Sequence, residues 1–434
     1  MVITKFIPIF VLINKWYYDI IMITKEQFEE LIDEKLIKEN GKLVYDGNLD
    51  LEKRKDVTEL PDNLKVLGYL DLNGSSVTKL PKGLEIEGWL SISRTEIEEL
   101  PEDTKIGSYF CVNDMKKPFS FPRVVKVEDC LDCIDTTIKR MPEELYVEDV
   151  CNFPGSTFDK LPEVMEVGNS LYLYNTAITE LPKGLKEVYG RLSISNTKVT
   201  KLPDNLVVYE EVYLCNTQIE ELPKGLIVGG ELNLRKTNLK DYSNLHKVCS
   251  EFRVTEEKYE EIKDTLAEHI KEQIWPNELT VIFKLNYKGA YLFENEVGRY
   301  IEADGIFAKI LEQKGNVYHI DMYGDGEIAY LITDGEGRWS HGDTLEEAKD
   351  DLLYKISKRN KDDYEGLTMD SELSFNDAIT CYRVITGACS FGTRDFINNR
   401  LGKNKKEVYT IKEIIELTEG EYGNTTFNNF FYRD

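Results

Sequence analysis

The amino-acid sequence predicts an α/β solenoid of short parallel strands with an extended back face, followed by a separate α+β domain. The first observation is a repeat, because a bulky apolar residue followed by proline recurs every 20 or 21 residues. The second is that this pattern ends near residue 250, beyond which strand-like and helix-like apolar patterns alternate. A period of about 20 residues indicates stacked repeats that share one core. The apolar-proline pairs stand at 60–61, 80–81, 100–101, 121–122, 141–142, 161–162, 181–182, 202–203 and 222–223.

Each repeat also carries a strand motif in which two apolar residues flank one other residue, as in Leu70-Asp71-Leu72. Since side chains alternate across a strand, we expect both leucines in the core. Proline begins the return segment, and its fixed φ and missing N–H favour an extended back face over a full helix. The predicted solenoid covers residues 43–250. One register position holds threonines whose hydroxyls are expected to satisfy the turning backbone: Thr95, Thr176, Thr197, Thr217 and Thr237.

Residues 43–250 resemble bacterial leucine-rich-repeat proteins of the short L-P-x-x-L type, which include effectors secreted by enteric pathogens. The resemblance implies a curved parallel-sheet solenoid that binds proteins on its concave face. It does not extend to the ubiquitin-ligase activity found downstream of the repeats in some of those effectors. The last third of this chain reads as mixed strand and helix, without a Cys-centred ligase motif in a long helical domain.

The strand motif also predicts which residues face a partner, because the positions before, between and after the two core residues point outward. Aromatic residues beside short polar groups are typical of protein-binding hot spots. The alternative is that aromatic residues on neighbouring strands stack only to stabilise the sheet. The predicted binding residues are Tyr69, Asp71, Trp89, Ser91, Tyr109, Asp132, Asn152, Tyr172, Tyr174, Tyr213 and Asn233.

The charge balance bears on the class of partner, since 54 basic and 79 acidic residues give a formal net charge of -25. A strong negative charge opposes binding to DNA, RNA or anionic lipid, so a protein partner is expected and neither nucleic acid nor membrane is. One alternative is an acidic inhibitor, encoded by a phage or a bacterium, that binds a host defence or nucleic-acid-binding protein. The plainer explanation of the charge is solubility. The sequence leaves the oligomeric state open.

The eight cysteines are too scattered for a disulfide scaffold, which favours the cytoplasm of a bacterium or of a phage-infected cell. Secretion stays open as the alternative. The pair Cys130 and Cys133 has zinc-like spacing, but the repeat register points the two side chains in opposite directions, so no metal is predicted. The sequence carries no Walker loop, no G-x-S-x-G and no H-E-x-x-H, and no cofactor is predicted either.

The N-terminus holds a short apolar run that is interrupted by Pro8 and lacks a cleavage site. Residues 1–21 are interpreted as a possible upstream extension, so that the natural start is either Met1 or Met22. Residues 22–42 are predicted to form an N-terminal capping helix. Thr24 and Gln27 have the spacing of a capping box.

After the repeats, residues 251–276 are predicted to form a capping helix and linker, with Thr255 as the N-cap and Ile270 on the apolar face. Residues 277–434 are predicted to form an α+β domain of unknown activity. The stretch from Ala329 to Ile356 resembles the strand-then-helix unit of HicB-type antitoxins and implies only a local fold. Predicted strands cover 279–285, 291–293, 317–322 and 328–333, and predicted helices follow Thr344 and cover 375–386, 394–401 and 411–418.

Three residues of this domain are candidates for chemistry, namely His341, Cys389 and Arg394. A thiolate near a helix N-terminus and an arginine is able to act as a nucleophile, and His341 is the histidine expected in a loop of this domain. The alternative is structural: a glycine helix cap, a buried cysteine and the cap of the next helix. The sequence favours a binding protein, with the C-terminal domain as a second interaction module, over an enzyme with chemistry at Cys389 and His341.

Overall fold

A computed structural model describes residues 23–242, 245, 248–262, 270–275, 280–285, 289–324, 326–356, 361–388, 390–402 and 405–432. The predicted upstream extension of residues 1–21 and the candidate Cys389 lie outside these residues. The chain divides into two compact units, the first reaching Leu285 and including Asn295–Val297, the second containing the remaining residues. None of the described helices is both long enough and apolar enough to cross a membrane.

The first unit is a parallel-strand β-solenoid of about 10 turns over residues 43–253, close to the predicted 43–250. Helices make up only 19% of the structure, so this unit fits a β-solenoid better than the predicted α/β class. Successive turns contribute one short strand each to a long parallel sheet. Its strands are Leu49–Asp50, Leu70–Asp71, Leu90–Ser91, Phe110–Cys111, Leu131–Asp132, Cys151–Asn152, Leu171–Tyr172, Leu192–Ser193, Val212–Tyr213, Ile227–Asn233 and Cys249–Thr255.

The back of the solenoid is extended, as the recurring prolines predict. Short parallel strands pair from turn to turn, which satisfies backbone groups without helices, and all of them except the first, Lys42–Tyr45, follow a proline. These strands are Lys42–Tyr45, Leu64–Val66, Glu85–Ile86 and Lys105–Ile106, then Val124–Val127, Glu144–Val147 and Val164–Val167, then Glu187–Val188 and Val207–Val208. Phe119–Ser120 and Ile138–Arg140 form a further parallel pair.

The two apolar residues of the strand motif are buried, and Leu70 and Leu72 both have 0% exposure. The threonine hydroxyls satisfy the turning backbone as predicted, and each of the five donates to a carbonyl of its own turn. Thr95 Oγ1 donates to the Ile92 carbonyl at 2.6 Å, and Thr217 Oγ1 donates to the Leu214 carbonyl at 2.8 Å. The hydroxyl therefore replaces water at a buried corner where the strand ends.

The N-terminal cap is shorter than the predicted helix of residues 22–42. Helix α1 covers Lys25–Ile32, and the predicted capping box between Thr24 and Gln27 is confirmed. A strand at Ile37–Glu39 then pairs antiparallel with Lys42–Tyr45. Phe28 is fully buried against the solenoid core, so the helix covers the open end of the first turn.

We expect the N-terminal cap to loosen in acid through Glu29, a buried residue of α1. Its carboxylate accepts hydrogen bonds from Lys25 Nζ at 2.6 Å and from the backbone N–H of Leu36 at 2.7 Å. These bonds lower the pKa of Glu29 from 4.5 to about 2, and the bond from Lys25 has the largest effect. A carboxylate whose pKa is lower in the folded than in the unfolded state stabilises the fold at pH values above its unfolded-state pKa. This stabilisation is lost as the pH falls towards the folded-state pKa.

The measurement is hydrogen exchange in residues 33–36 between about pH 6 and about pH 2, corrected for the intrinsic rate of exchange. The wild type should lose protection across this interval, whereas Glu29→Gln should be less protected at the upper pH and change little. Glu30 is an exposed neighbour, so Glu30→Gln is the matched control and should follow the wild type. An equal response in both variants would contradict the assignment.

The C-terminal end of the solenoid differs from the predicted helix of residues 251–276. Among the described residues helix α2 covers Glu256–Ile262, with Thr255 Oγ1 accepting the N–H of Lys258 at 3.2 Å. Ile270, predicted on the helix, begins a strand instead. Ile270–Trp275 pairs antiparallel with Thr280–Leu285, which in turn pairs antiparallel with Cys249–Thr255. This hairpin extends the sheet, so residues up to Leu285 belong to the first unit and not to the C-terminal domain.

The second unit is built on a six-stranded antiparallel sheet in which each strand pairs with the next along the chain. The predicted strand-then-helix unit contains an additional strand, Trp339–Gly342, before helix α3 at Leu345–Ile356. A local pair of strands, Glu372–Ser374 and Val408–Thr410, stands beside the helices that follow. The strands of the main sheet are Ala290–Glu294, Arg299–Ala303, Ile306–Lys314, Val317–Asp321, Ala329–Thr333 and Trp339–Gly342.

The helices of the second unit partly follow their predicted caps. Ser374 caps α4, which covers Phe375–Thr386, and Thr410 caps α6, which covers Ile411–Leu417, with a complete capping box. The helix predicted to follow Thr393 is wrong in detail, because α5, which covers Ser390–Asp395, begins earlier and is followed by a π-helical segment. The remaining ranges are a 3₁₀ turn at Lys361–Tyr364, the π-helical segment at Phe396–Leu401 and α7 at Asn424–Phe431.

Candidate functional site

The long sheet of the first unit places the predicted binding residues in rows, because its strands pair in register. The outer face is defined here by the residue between the two core residues of each strand motif, together with its neighbours on either side. One row contains directly paired residues from successive turns, namely Asp71, Ser91, Cys111, Asp132, Asn152, Tyr172, Ser193, Tyr213 and Asn233.

An aromatic stack stands beside this row. The rings of Tyr69 and Trp89, both half-buried, lie parallel with centroids 4.2 Å apart and an interplanar angle of 11°. Stacking of this kind holds the rings in place, and both side chains stay partly exposed. The two explanations offered by the sequence, binding and sheet stability, are therefore compatible in this pair.

Tyr109 continues the aromatic side chains into the next turn and is fixed by hydrogen bonds. Its hydroxyl donates to Asp132 Oδ2, while Asn152 Nδ2 donates to Asp132 Oδ1 at 2.5 Å. Burial, followed by the bond to Asp132, raises the pKa of the Tyr109 hydroxyl well above its ordinary value. The phenol stays protonated and the ring stays in place, so a partner would find an ordered surface.

Three carboxylates lie near the stack of Tyr69 and Trp89 in the first turns. Asp71 accepts the backbone N–H of Asn73 at 2.8 Å and is half-buried. Burial raises the pKa of Asp71, and the nearby carboxylates of Asp50 and Glu52 raise it further. Lys53 Nζ pairs with Glu52 at 2.7 Å and partly offsets the raised pKa of Asp71, but three carboxylates against one cation leave this part of the outer face acidic.

The later turns present a mixed surface. Tyr174 has 38% exposure and Tyr172 and Tyr213 are half-buried, whereas Ser193 is buried like Ser91 in the earlier turns. Asn233 has only 1% exposure, and its Oδ1 accepts a bond from Arg235 Nε at 3.2 Å. The side chain of Asn233 thus positions Arg235 and presents almost no surface of its own to a partner.

Cys130 lies near two carboxylates at the corner of the solenoid, with Sγ 3.1 Å from Asp129 and 3.3 Å from Asp149. Burial is the main cause that raises the pKa of the Cys130 thiol to about 12. A thiol that stays protonated at neutral pH is a weak metal ligand and a weak nucleophile. Cys133 points into the core, as the repeat register predicts.

The second unit contains a cavity of about 620 Å³. One part of its wall is the turn at Asp304–Ile306 together with His341. The rest comes from α4 and the segment 387–388 that follows it, from α5 through Gly392 and Thr393, from the π-helical segment, from Tyr409, from α6, and from the residues before α7. His341 was expected in a loop, but it lies on the strand Trp339–Gly342 and is buried.

His341 is oriented by a carboxylate at the cavity. Its ring Nδ1 is 2.8 Å from Asp304 Oδ2, which also accepts the His341 backbone N–H at 3.2 Å. Asp304 is bound in addition by Lys355. This arrangement fixes the imidazole ring and sets which ring nitrogen faces the carboxylate.

A chain of buried charges continues from Asp304 into the helices. Lys355 lies 3.2 Å from Asp351, whose other oxygen accepts a hydrogen bond from Arg383. Arg383 Nε also donates to the carbonyl of Ala388 at 3.1 Å. Sequence reasoning missed these four charged residues, and the one local hint is that Asp304 begins a tight Asp-Gly turn.

The other two candidates of this unit are Arg394 and Cys389. Arg394 is on the surface, where it pairs with Glu347 and lies 3.3 Å from Asp343. Cys389 lies outside the described residues. The arginine is therefore already paired with carboxylates, and the nucleophile at Cys389 stays a prediction.

Comparison with known proteins adds no relative: a scan against protein-family models finds no match, and a search of curated proteins finds none.

Proposed function

We propose that the first unit recognises a protein partner through the outer face of its long sheet, as leucine-rich-repeat proteins of the short L-P-x-x-L type do. The observation that carries the proposal is the ordered aromatic surface of Tyr69, Trp89 and Tyr109. Large aromatic residues dominate the energy of protein interfaces, and side chains that are already fixed lose little entropy on binding. The second unit is proposed to act as a second interaction module.

The charges beside the stack support a basic partner segment. Asp50, Glu52 and Asp71 form an acidic surface next to the rings, and aromatic faces attract lysine and arginine side chains. The net charge of -25 would speed encounter with a cationic protein and oppose encounter with nucleic acid. This supports a second candidate, an acidic phage or bacterial inhibitor that binds a host defence or nucleic-acid-binding protein.

The experiment is affinity capture from a bacterial lysate with the full chain and with the combined variant Tyr69→Ala, Trp89→Ala and Tyr109→Ala, read by mass spectrometry. Proteins held by the outer face should be retained by the wild type and lost with this variant. Three exposed apolar residues of the first unit that lie outside this face provide a control with the same number of truncated side chains, namely Leu67→Ala, Val124→Ala and Val164→Ala. Unchanged retention by the outer-face variant would contradict the proposal.

The charge of the partner segment is tested with Asp50→Lys, Glu52→Lys and Asp71→Lys together. Reversal of three carboxylates should weaken binding of the retained partner by at least about tenfold at about 0.15 M salt, and higher salt should narrow the difference. Binding that is indifferent to both charge reversal and salt would leave the aromatic surface as the binding site and rule out a basic segment.

A further inference from the structure

We infer that the cavity of the second unit is a binding site for an uncharged, aromatic small molecule, independent of any partner of the solenoid. Small-molecule sites generally enclose about 300–1,000 Å³, and this cavity has about 620 Å³. Protein interiors pack densely, with few voids much larger than a water molecule. This space is open to solvent on one side, and a concave apolar surface of this size within one unit is typical of a ligand site.

The walls determine the chemistry of the ligand. They are mainly apolar, with aliphatic residues such as Ile306, Ile379 and Ile397. Five aromatic side chains also line the space. Ring faces and edges favour other rings, in stacked or edge-to-face contacts. The aromatic lining consists of Phe375, Tyr382, Phe396, Tyr409 and Tyr422.

The charged groups of the wall are already paired. Asp304 is bound by Lys355 and by His341, and Glu421 accepts a hydrogen bond from Arg400 at 2.9 Å. A charged ligand would lose its hydration in an apolar space and would have to compete with these existing pairs. An uncharged molecule does not bear that cost.

Three hydroxyl groups of the wall are also engaged. Tyr382 donates to the carbonyl of Tyr422 at 2.7 Å, and Thr418 donates to the carbonyl of Ile414 at 2.8 Å. Tyr409 accepts the backbone N–H of Lys406 at 2.7 Å. Because these three hydroxyl groups already have hydrogen-bond partners, recognition of a ligand depends on shape and apolar contact more than on hydrogen bonds.

An irregular backbone in the wall is a second, independent observation. Phe396, Ile397 and Leu401 all line the cavity, and all three belong to the π-helical segment. π-Helical turns are rare and are frequently found at functional sites, because the wider turn costs stability. Here the segment brings three apolar side chains to one side of the space.

The test is a fluorescence titration of the full chain with N-phenyl-1-naphthylamine, an uncharged aromatic probe whose emission rises in an apolar site. Wild-type protein should bind it saturably with one probe per chain. Ile397→Trp places a larger side chain in the cavity and should weaken binding at least about tenfold. Leu353→Trp adds the same side chain on the outer surface of α3, where Leu353 has 63% exposure, and should bind like the wild type.

A second filled variant and an anionic probe complete the test. Ile379→Trp fills the cavity from the opposite wall, from α4, and should also weaken binding, so that the result does not depend on the folding of one variant. The anionic analogue 8-anilinonaphthalene-1-sulfonate should bind at least about tenfold more weakly than the uncharged probe. The inference is overturned by the lack of saturable binding, by equal binding in the filled variants and the control, or by equal affinity for the two probes.

Discussion

Replacing Asp351 with alanine should destabilise the second unit by about 3–5 kcal/mol, the usual cost of removing one partner from a buried charge pair. The Asp351 side chain has 0% exposure. It accepts hydrogen bonds from Arg383 and from Ser340 Oγ, the latter at 2.8 Å. The alanine variant leaves the largely buried Arg383 guanidinium without its carboxylate and leaves the Ser340 hydroxyl without its acceptor.

The effect should be read in each unit separately, because a chain with two units does not unfold in one step. Hydrogen exchange in residues 339–356 and 375–386 reports on the second unit, and the solenoid peptides serve as the internal reference. Asp350 is exposed and precedes Asp351 in α3, so Asp350→Ala is the matched control and should change stability by no more than about 0.5 kcal/mol. Equal effects of the two variants would show that the buried charges contribute little.

The Asp351 carboxylate also makes the stability of the second unit depend on pH. Burial by itself would raise the pKa of Asp351, but Lys355, Ser340 and Arg383 together lower it below the ordinary value of 3.8. The Asp351 carboxylate therefore stabilises the fold at pH values above its ordinary pKa. This contribution is lost as the pH falls through its lower folded-state pKa. The wild type should lose stability in acid, and Asp351→Ala should lose less.

The buried charges also connect the stability of the second unit to its cavity. Ser340 is on the last strand of the main sheet, Asp351 is on α3, and Arg383 is on α4. Arg383 also holds the carbonyl of Ala388, which lines the cavity. Sheet, helices and cavity wall are thus joined by one set of hydrogen bonds, and the ring of His341 is fixed at its other end through Asp304.

Local signals in the sequence were sufficient for the solenoid and for several helix ends. Each repeat contains its own strand motif, its proline and its turn threonine, so the position of Leu70 in the core follows from its immediate neighbours. Thr24, Ser374 and Thr410 cap their helices because an N-cap depends on residues only three positions away. Predicting these features required no information about residues that are distant in the sequence.

Elements that depend on distant partners were missed. Ile270 fits an apolar helical face in sequence, but Ile270–Trp275 forms a strand because Thr280–Leu285 pairs with it and with Cys249–Thr255. Asp304 and His341 are 37 residues apart and meet only when the antiparallel sheet forms. Hydrophobic periodicity cannot report either pairing, since it describes one segment at a time.

Phe121→Ala should produce the largest loss of stability in the solenoid, about 3–5 kcal/mol, the usual cost of truncating a buried phenylalanine. Phe121 is fully buried and meets Phe119 edge-on, with centroids 5.0 Å apart and an interplanar angle of 89°. Phe110 contacts both rings. Truncation opens a space among three rings of one turn, and the strands of this turn pair with both neighbouring turns, so little collapse is available to fill it.

The distribution of the effect is as informative as its size. Turns of a solenoid are stabilised mainly by their neighbours, so hydrogen exchange should rise most around Phe110–Cys111 and Leu131–Asp132 and least at the distant Val212–Tyr213. Val124 has 38% exposure, and Val124→Ala should stay within about 0.5 kcal/mol of the wild type. A uniform rise in exchange along the whole first unit would instead show that its turns unfold together, because coupling between turns then outweighs the stability of each one.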